Sequence, residues 1–250
     1  MAFYLQIFFK NGECMKRNVG IFAVVAGLMF FIYSAEAQVS FGVKGGISIA
    51  NQKIGEPTEP QPGELMPTYS SIEGFVGGAF VHIGIPLVPF SVQGEVLYTQ
   101  KGRKRVFNPT TSFGSIDAMS TLTLNYLEIP VLAKFNIPLP APVTPNLYIG
   151  PAVSFLLSSK QRLQLKSTGL WGNTIQDTTA GDVEYIQKND FGLAFGGGVD
   201  FNLFATRVTL DARYTLGLKD VYKRPADAPE GEGDPTFTNR AWMVLFGVAF

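Results

Sequence analysis

The sequence predicts an all-β protein: one eight-stranded antiparallel up-and-down β-barrel spanning a bacterial outer membrane. Three observations predict it. The chain ends on a strand-like run without a polar cap, Trp242 to Phe250. A secretory signal pattern stands near its start. Between the two lie alternating apolar segments, joined by connections that are long and short in turn.

The terminal run puts Trp242, Val244, Phe246, Val248 and Phe250 on one face and Met243, Leu245, Gly247 and Ala249 on the other. A period of two marks a strand, and neither face carries a charge. Termini of soluble domains usually fray into water. A strand closing a barrel inside a bilayer can instead end on an apolar residue. Trp242, Phe246 and Phe250 are similar to the assembly signal through which barrel assembly machinery recognises its substrates.

At the other end, Met15, Lys16 and Arg17 form a short basic region, Val19 to Tyr33 carry no charge, and Ala35-Glu36-Ala37 is a small-x-small cleavage pattern. This reads as a signal peptide over residues 1–37, cut before Gln38, with the barrel domain over 38–250. Residues 1–14 are a doubtful extension that a start at Met15 explains. The apolar stretch is too short for a stable membrane helix. The single cysteine, Cys14, lies in that extension, so the mature chain has no disulfide and no thiol chemistry. With no cysteine at the cleavage site, the chain does not read as a lipoprotein.

The mature chain carries 17 basic and 18 acidic residues, a net charge of −1. A nucleic-acid binder would show a basic excess. No later stretch approaches the length of a transmembrane helix.

Eight segments alternate after Gln38. The first sets Val39, Phe41, Val43, Ile47 and Ile49 against Ser40, Lys44 and Ser48. The second aligns Phe75, Ala79, Val81, Ile83 and Ile85, with Val76 and Phe80 on its other face. The third sets Phe90, Val92, Val96 and Tyr98 against Ser91, Gln93, Glu95 and Thr99. The fourth sets Leu127, Ile129, Val131, Ala133 and Phe135 against Tyr126, Glu128 and Lys134. The fifth aligns Leu147, Ile149, Val153, Phe155 and Leu157. The sixth sets Phe191, Leu193, Phe195, Val199, Phe201 and Leu203 against Asp190, Asp200, Asn202 and several glycines. The seventh sets Val208, Leu210, Ala212, Tyr214, Leu216 and Leu218 against Arg207, Thr209, Asp211 and Arg213. The terminal run is the eighth.

Long polar connections are expected at Asn51 to Ser71, Gly102 to Ser120, Ser158 to Asn189 and Lys219 to Asn239. Short ones are expected near Pro86 and Pro89, from Pro138 to Pro145, and around Ala205. Outer-membrane barrels have long external loops and short periplasmic turns, so both termini are expected in the periplasm. Proline at the short turns fits, since it cannot donate to a ladder.

Alternation alone does not say which face points inward; volume does. The apolar faces offer roughly forty large side chains, more than an eight-stranded interior can hold. The opposite faces are small, as at Gly192, Ala194, Gly196 and Gly198, and suit a tight lumen. Aromatics collect near strand ends: Phe41, Phe90, Phe135, Phe201, Phe204 and Phe250 toward the inner rim, and Tyr98, Phe155, Phe191, Tyr214 and Trp242 toward the outer. Two girdles are expected at the two membrane interfaces.

The runs FGVKGGISIAN (Phe41 to Asn51), GEVLYTQKG (Gly94 to Gly102), NYLEIPVLAKF (Asn125 to Phe135), LYIGPAVSFLLS (Leu147 to Ser158) and FGLAFGGGVDF (Phe191 to Phe201) resemble the PorT-like outer-membrane β-barrel family common in Bacteroidetes. Tyr126 to Pro130 is the most specific piece, and the resemblance covers Val39 to Phe250. It implies a barrel of OmpA- or OmpX-like architecture. Members of the family mostly lack an assigned activity, and one takes part in building a secretion apparatus.

The charged residues on the small faces are Lys44, Glu95, Glu128, Lys134, Asp200, Arg207, Asp211 and Arg213. Inside a narrow barrel they must pair. A plug that fixes register is favoured over a proton or ion path. Lys101, Arg103, Lys104 and Arg105 cluster beyond the third strand, where they either contact lipopolysaccharide phosphates or form a solvated loop base. His82, the sole histidine, would be needed by a Ser-His-acid lipid A hydrolase. It falls by the short turn at Pro86, and no serine motif lies near it, so no catalytic residue is assigned. One histidine and no mature cysteine leave no ordinary zinc site, and no cofactor is expected. The acidic run Asp227, Glu230, Glu232 and Asp234 does not match an EF-hand. Gly196 to Gly198 precede no helix and form no phosphate loop. The reading is a non-enzymatic envelope protein acting through its external loops. An outer-membrane lipid-modifying enzyme and a small channel are the alternatives. Outer-membrane lipid, lipopolysaccharide, the assembly machinery and an envelope protein are the expected partners.

Overall fold

The computed structural model describes residues 38–55, 68–107, 110–111, 114–139, 142–169, 174–183, 185–203, 206–223 and 236–250. The signal segment with Cys14, Phe204 and the acidic run from Asp227 to Asp234 lie outside them. The strands are β1 (Gln38–Gly55), β2 (Thr68–Ser70), β3 (Ile72–Gly84), β4 (Phe90–Phe107), β5 (Thr110–Thr111), β6 (Gly114–Asn136), β7 (Val143–Gly169), β8 (Thr174–Asp182), β9 (Asn189–Leu203), β10 (Thr206–Gly217) and β11 (Thr236–Ala249). Eight of them close a ring in the order β1-β3-β4-β6-β7-β9-β10-β11 and back to β1, every neighbour antiparallel. The closing ladder pairs Gly42 with Ala249 and runs on to Gly55 with Thr236. Phe41 and Phe250 exchange two backbone hydrogen bonds at its end, of 3.1 and 2.8 Å. Closure removes the sheet edges that an open antiparallel sheet would expose.

The period-two pattern sorts side chains as volume requires. Phe41, Ile47, Trp242 and Phe246 stand on the outside, each more than half exposed, while Lys44, Met243, Leu245 and Ala249 are buried in the lumen. Phe80 and Val76, the apolar residues on the second face of β3, are also buried inside. Phe90 packs on Phe135 at one rim, and Phe195, Tyr214 and Trp242 form a chain of rings, with Tyr214 and Trp242 centred 4.8 Å apart.

The connections β3–β4, β6–β7 and β9–β10 are short and share a rim with Gln38 and Phe250. The opposite rim differs from expectation. Much of the sequence expected as loop is strand: β1 runs to Gly55, β4 to Phe107, β6 starts at Gly114, and β7 reaches Gly169 before returning as β8. The 23 residues of β6 and 27 of β7 exceed the roughly 9–11 that cross a bilayer at a steep tilt. Once a strand leaves lipid, neither face must be apolar. Runs such as Ser115 to Ser120 therefore read as polar loop while still pairing residue by residue with β7.

Two irregularities mark the departure of this extension from the barrel. A bulge at Asn125/Tyr126 shifts the β6–β7 register. At nearly the same level, Gly102 holds φ at 149°, and a methyl group there would strike the Leu122 carbonyl. Bulges re-aim strands at barrel rims, and only glycine tolerates that φ at such close approach.

Candidate functional site

The inward parity of β1, β4 and β10 aims Lys44, Glu95, Asp211 and Arg213 at one point. Glycines opposite make the room: a methyl at Gly198 would meet the Asp211 carboxylate, and one at Gly196 the Tyr148 hydroxyl. Lys44 Nζ lies 2.9 Å from both Glu95 and Asp211. Arg213 grips Glu95 with two parallel hydrogen bonds of 2.7 and 2.8 Å. β4 and β10 are four strands apart in either direction round the ring, so this fork spans the full width of the lumen. Phe80 covers Lys44 at 4.7 Å, and Tyr148 faces Arg213 at 5.3 Å. All four charged side chains are essentially out of solvent. Two cations meet two anions, the balance that buried charges require.

The network extends toward both rims. On the short-turn side, Gln93 donates to Glu95 and accepts from Lys134 at 3.3 Å, and Lys134 lies 3.6 Å from Asp200. On the other side Lys101 pairs with Glu128. Above it, Asn239 donates to Asp190 at 2.8 Å and to the Tyr126 hydroxyl at 3.3 Å, and accepts from Gln52 at 2.9 Å.

Of the residues expected in the lumen network, Lys44, Glu95, Glu128, Lys134, Asp200, Asp211 and Arg213 lie within it. Arg207 is corrected: it sits at the short-turn rim, half-buried, with its Nε 3.2 Å from Asn202 and outside the ion pairs. It lies one residue inside the start of β10, too close to the rim to reach an inward carboxylate. Lys101 is corrected more strongly. Expected on the outer surface, it is buried in the lumen on Glu128, because β4 keeps its inward parity past Thr99. Arg103 keeps the same parity, with its guanidinium 4.0 Å from the Phe237 ring. Arg105 follows at the mouth, and Lys104 falls on the opposite face.

His82 is buried beside a cavity of about 470 Å³ at the short-turn mouth, which Asp200, Asn202, Asn136 and Arg207 also line. Its ladder partner on β1 is Ser40. His82 Nδ1 and Ser40 Oγ have no hydrogen-bond partner among the described residues, so the two are not joined as a nucleophile and its base must be. Glu95 and Asp211 share the Lys44 ammonium between them.

Sequence reasoning overlooked Gln93, Asn239, Gln52 and Tyr148. All are uncharged, so a search for charged groups passes over them. Gln93 was placed on the polar face of its strand, and Tyr148 falls between the outward Leu147 and Ile149.

Residues 34–223 match the family described as the outer membrane protein beta-barrel domain. The chain belongs to this family. As an outer-membrane β-barrel it turns its belt of exposed Phe, Ile, Leu and Val to lipid and its ion pairs inward, as the ring geometry requires. No curated protein matches the sequence. Among solved structures, the chain is similar to Neisserial surface protein A, at 16% identity over 84% of this chain and 95% of that one, TM-score 0.36. It is similar to Ail, the attachment invasion locus protein of Yersinia pestis, in complex with the heparin analogue sucrose octasulfate, at 15% identity over 85% and 99%, TM-score 0.33. It is also similar to outer membrane protein OprG from Pseudomonas aeruginosa, at 11% identity over 84% and 95%, TM-score 0.40.

Proposed function

We propose that this barrel is a non-enzymatic envelope protein whose lumen is closed by its own side chains and whose long-hairpin rim carries its interactions. The observation behind this is the Glu95–Arg213 fork across the lumen, joined by Lys44 and Asp211. A route for solute would have to break it. Chemistry at the lumen centre would need a carboxylate that is not already held by a cation. Binding residues concentrate on segments held out by a rigid scaffold, and the β6–β7–β8 extension is such a segment.

In this reading residues 1–37 are removed on export, and Trp242, Phe246 and Phe250 are read by the barrel assembly machinery. Both termini and the short turns face the periplasm. Lys104, on the outer face of β4, is the member of the basic cluster suited to lipopolysaccharide phosphate. The runs FGVKGGISIAN and NYLEIP support a PorT-like branch of the family.

Orientation and location have one test. The mature segment has no cysteine, so D177C in β8 and L87C in the first short turn, both exposed positions, each introduce a single thiol. A membrane-impermeant maleimide on intact cells should label D177C, and should label L87C only after the outer membrane is opened. Labelling of L87C on intact cells, or recovery of the protein as soluble periplasmic material, would overturn the reading.

A further inference from the structure

The mouth on the long-hairpin side holds a cavity of about 400 Å³ on the concave face of the extension. Arg103 and Arg105 of β4 enter it from one side, Ser120 and Leu122 of β6 form its floor, and Gln161 of β7 and Tyr185 close it. Arg103 is the unusual member. Its guanidinium carbon lies over the Phe237 ring at 4.0 Å from the centroid, with Tyr69 at 5.9 Å. Nη1 is buried and has no hydrogen-bond partner among the described residues. Among the described residues no carboxylate comes within 4 Å of Arg103 or Arg105. Burial pushes the Arg103 guanidinium below its ordinary value, and the groups that oppose this are the Tyr69 and Tyr185 phenols, with no acid among them.

Among the described residues the four fully buried cations have their anions; half-buried Arg240, like Arg103, carries an unpartnered buried nitrogen. Lys44, Lys101, Lys134 and Arg213 all sit on carboxylates. A buried guanidinium nitrogen without a partner carries a desolvation cost, and an incoming anion would offset it. The polar walls are already oriented. Tyr185 donates to Gln161 at 3.0 Å, and Gln161 donates to Ser120 at 2.9 Å, which leaves the Ser120 hydroxyl proton free to turn into the cavity. Phe107, Leu122 and Leu163 supply an apolar flank beside the two arginines.

We propose that this mouth is a binding site for an anionic ligand bearing a phosphate, sulfate or carboxylate next to an apolar body. The anion lies edge-on to Arg103, with Arg105 as second cation and Ser120 as donor. Arginine forks suit such oxyanions through paired charge-assisted hydrogen bonds. The same chemistry is found in a soluble organic anion and in the phosphorylated headgroup of an outer-leaflet lipid. The cavity opens on the lumen side of β4 and β6 rather than on their lipid side, which favours the soluble source. The proposal rests on the long-hairpin rim being the working face.

The test uses the mature barrel in phosphatidylcholine nanodiscs and calorimetric titration with phenyl phosphate. Saturable binding is expected, tighter than for inorganic phosphate, which lacks the apolar body. R103Q should weaken it tenfold or more, R103K by less, and R105Q severalfold, while K160Q, at an exposed position of β7 outside the cavity, should leave it unchanged. Heat-modifiable gel migration establishes that each variant is a closed barrel; R105Q, at an exposed position, serves if R103Q fails to close. Adding lipopolysaccharide to the nanodisc leaves the phenyl phosphate affinity unchanged if the ligand is soluble and competes if a headgroup enters. Absence of saturable binding by a correctly closed barrel, or equal loss in K160Q and R103Q, overturns the site. A wild-type chain that does not form a closed barrel would instead overturn the functional reading beneath it.

Discussion

Replacing Glu95 with alanine tests the lumen most sharply. Glu95 holds Arg213 through two hydrogen bonds and Lys44 through a third. Its loss does not strand the two cations equally. Lys44 keeps Asp211 at 2.9 Å, but among the described residues Arg213 has no second carboxylate within 4 Å and its Nε is already without a partner. The central cluster also passes from neutral to one net positive charge. Removing one partner of a buried pair costs about 3–5 kcal/mol, and the surviving Lys44–Asp211 pair puts the upper half of that range on Arg213. With a urea slope of about 2–3 kcal/mol per molar, the unfolding midpoint should fall by about 1.3–2.5 M. Tryptophan fluorescence of the refolded barrel in lipid vesicles reads this directly, since Trp242 lies on the lipid-facing surface. Arg213→Met combined with Glu95→Leu should recover most of the loss, because exchanging both charges for apolar groups of similar volume is often neutral. A single-variant shift below about 0.3 M, or a double variant as weak as the sum of the singles, would refute the claim that these charges are buried and mutually dependent.

Other outcomes follow from the same geometry. Purified protein in planar bilayers should show negligible steady conductance; large stable open currents would mean that the Glu95–Arg213 fork does not close the lumen. Gly150→Ala should destabilise the barrel by about 1–3 kcal/mol, because the added methyl would overlap the Val131 carbonyl. Gly181→Ala, where nothing stands within 4 Å, should be neutral or slightly stabilising. Equal urea midpoints for these two variants would contradict the packing described. Deleting Phe250 removes two closing hydrogen bonds, whereas Phe250→Ala keeps them. If the terminal aromatic is the assembly signal, both variants should lower the heat-modifiable fraction in cells, and an unaffected Phe250→Ala would reduce Phe250 to a rung of the ladder.

The ring of eight was legible because the lipid-facing side of each strand must be apolar along its whole length, which writes a strict period of two into the sequence. The same rule explains where legibility stopped. Lys101 and Arg103 lie beyond the band where outward residues are apolar, so their inward parity had no contrasting neighbours to reveal it. Their charge then suggested solvent. Arg207 shows the converse. It shares parity with Asp211 and Arg213, but parity does not report height, and at the rim an inward direction leads into the short-turn mouth. The extension by β7 and β8 was hidden because a strand paired outside the bilayer needs neither apolar face. Pairings across the lumen were out of reach altogether. Glu95 and Arg213 are 118 residues apart, and the strands that carry them are never neighbours.

That last pairing says what the network does for the fold. Ladder hydrogen bonds set register only between adjacent strands, and a slip of one residue reverses every side chain on the slipped strand. A closed barrel adds a second requirement: the staggers round the ring must sum to a fixed shear. Neighbouring ladders tolerate compensating errors, because a slip between β4 and β6 can be undone between β3 and β4 without an unpaired backbone group. A fork from β4 to β10 does not tolerate this. Such a pair of slips would move Glu95 along the barrel axis relative to Arg213 by about 3.3 Å per residue, and two hydrogen bonds of 2.7 and 2.8 Å would be lost together with the charge balance. Lys44, bonded to both β4 and β10 from β1, triangulates the same constraint at the closing ladder. The buried charges therefore select one barrel among near-equivalent ones, and they do so by filling the lumen. What the protein recognises is then left to its mouths, where Arg103 has no anion among the described residues.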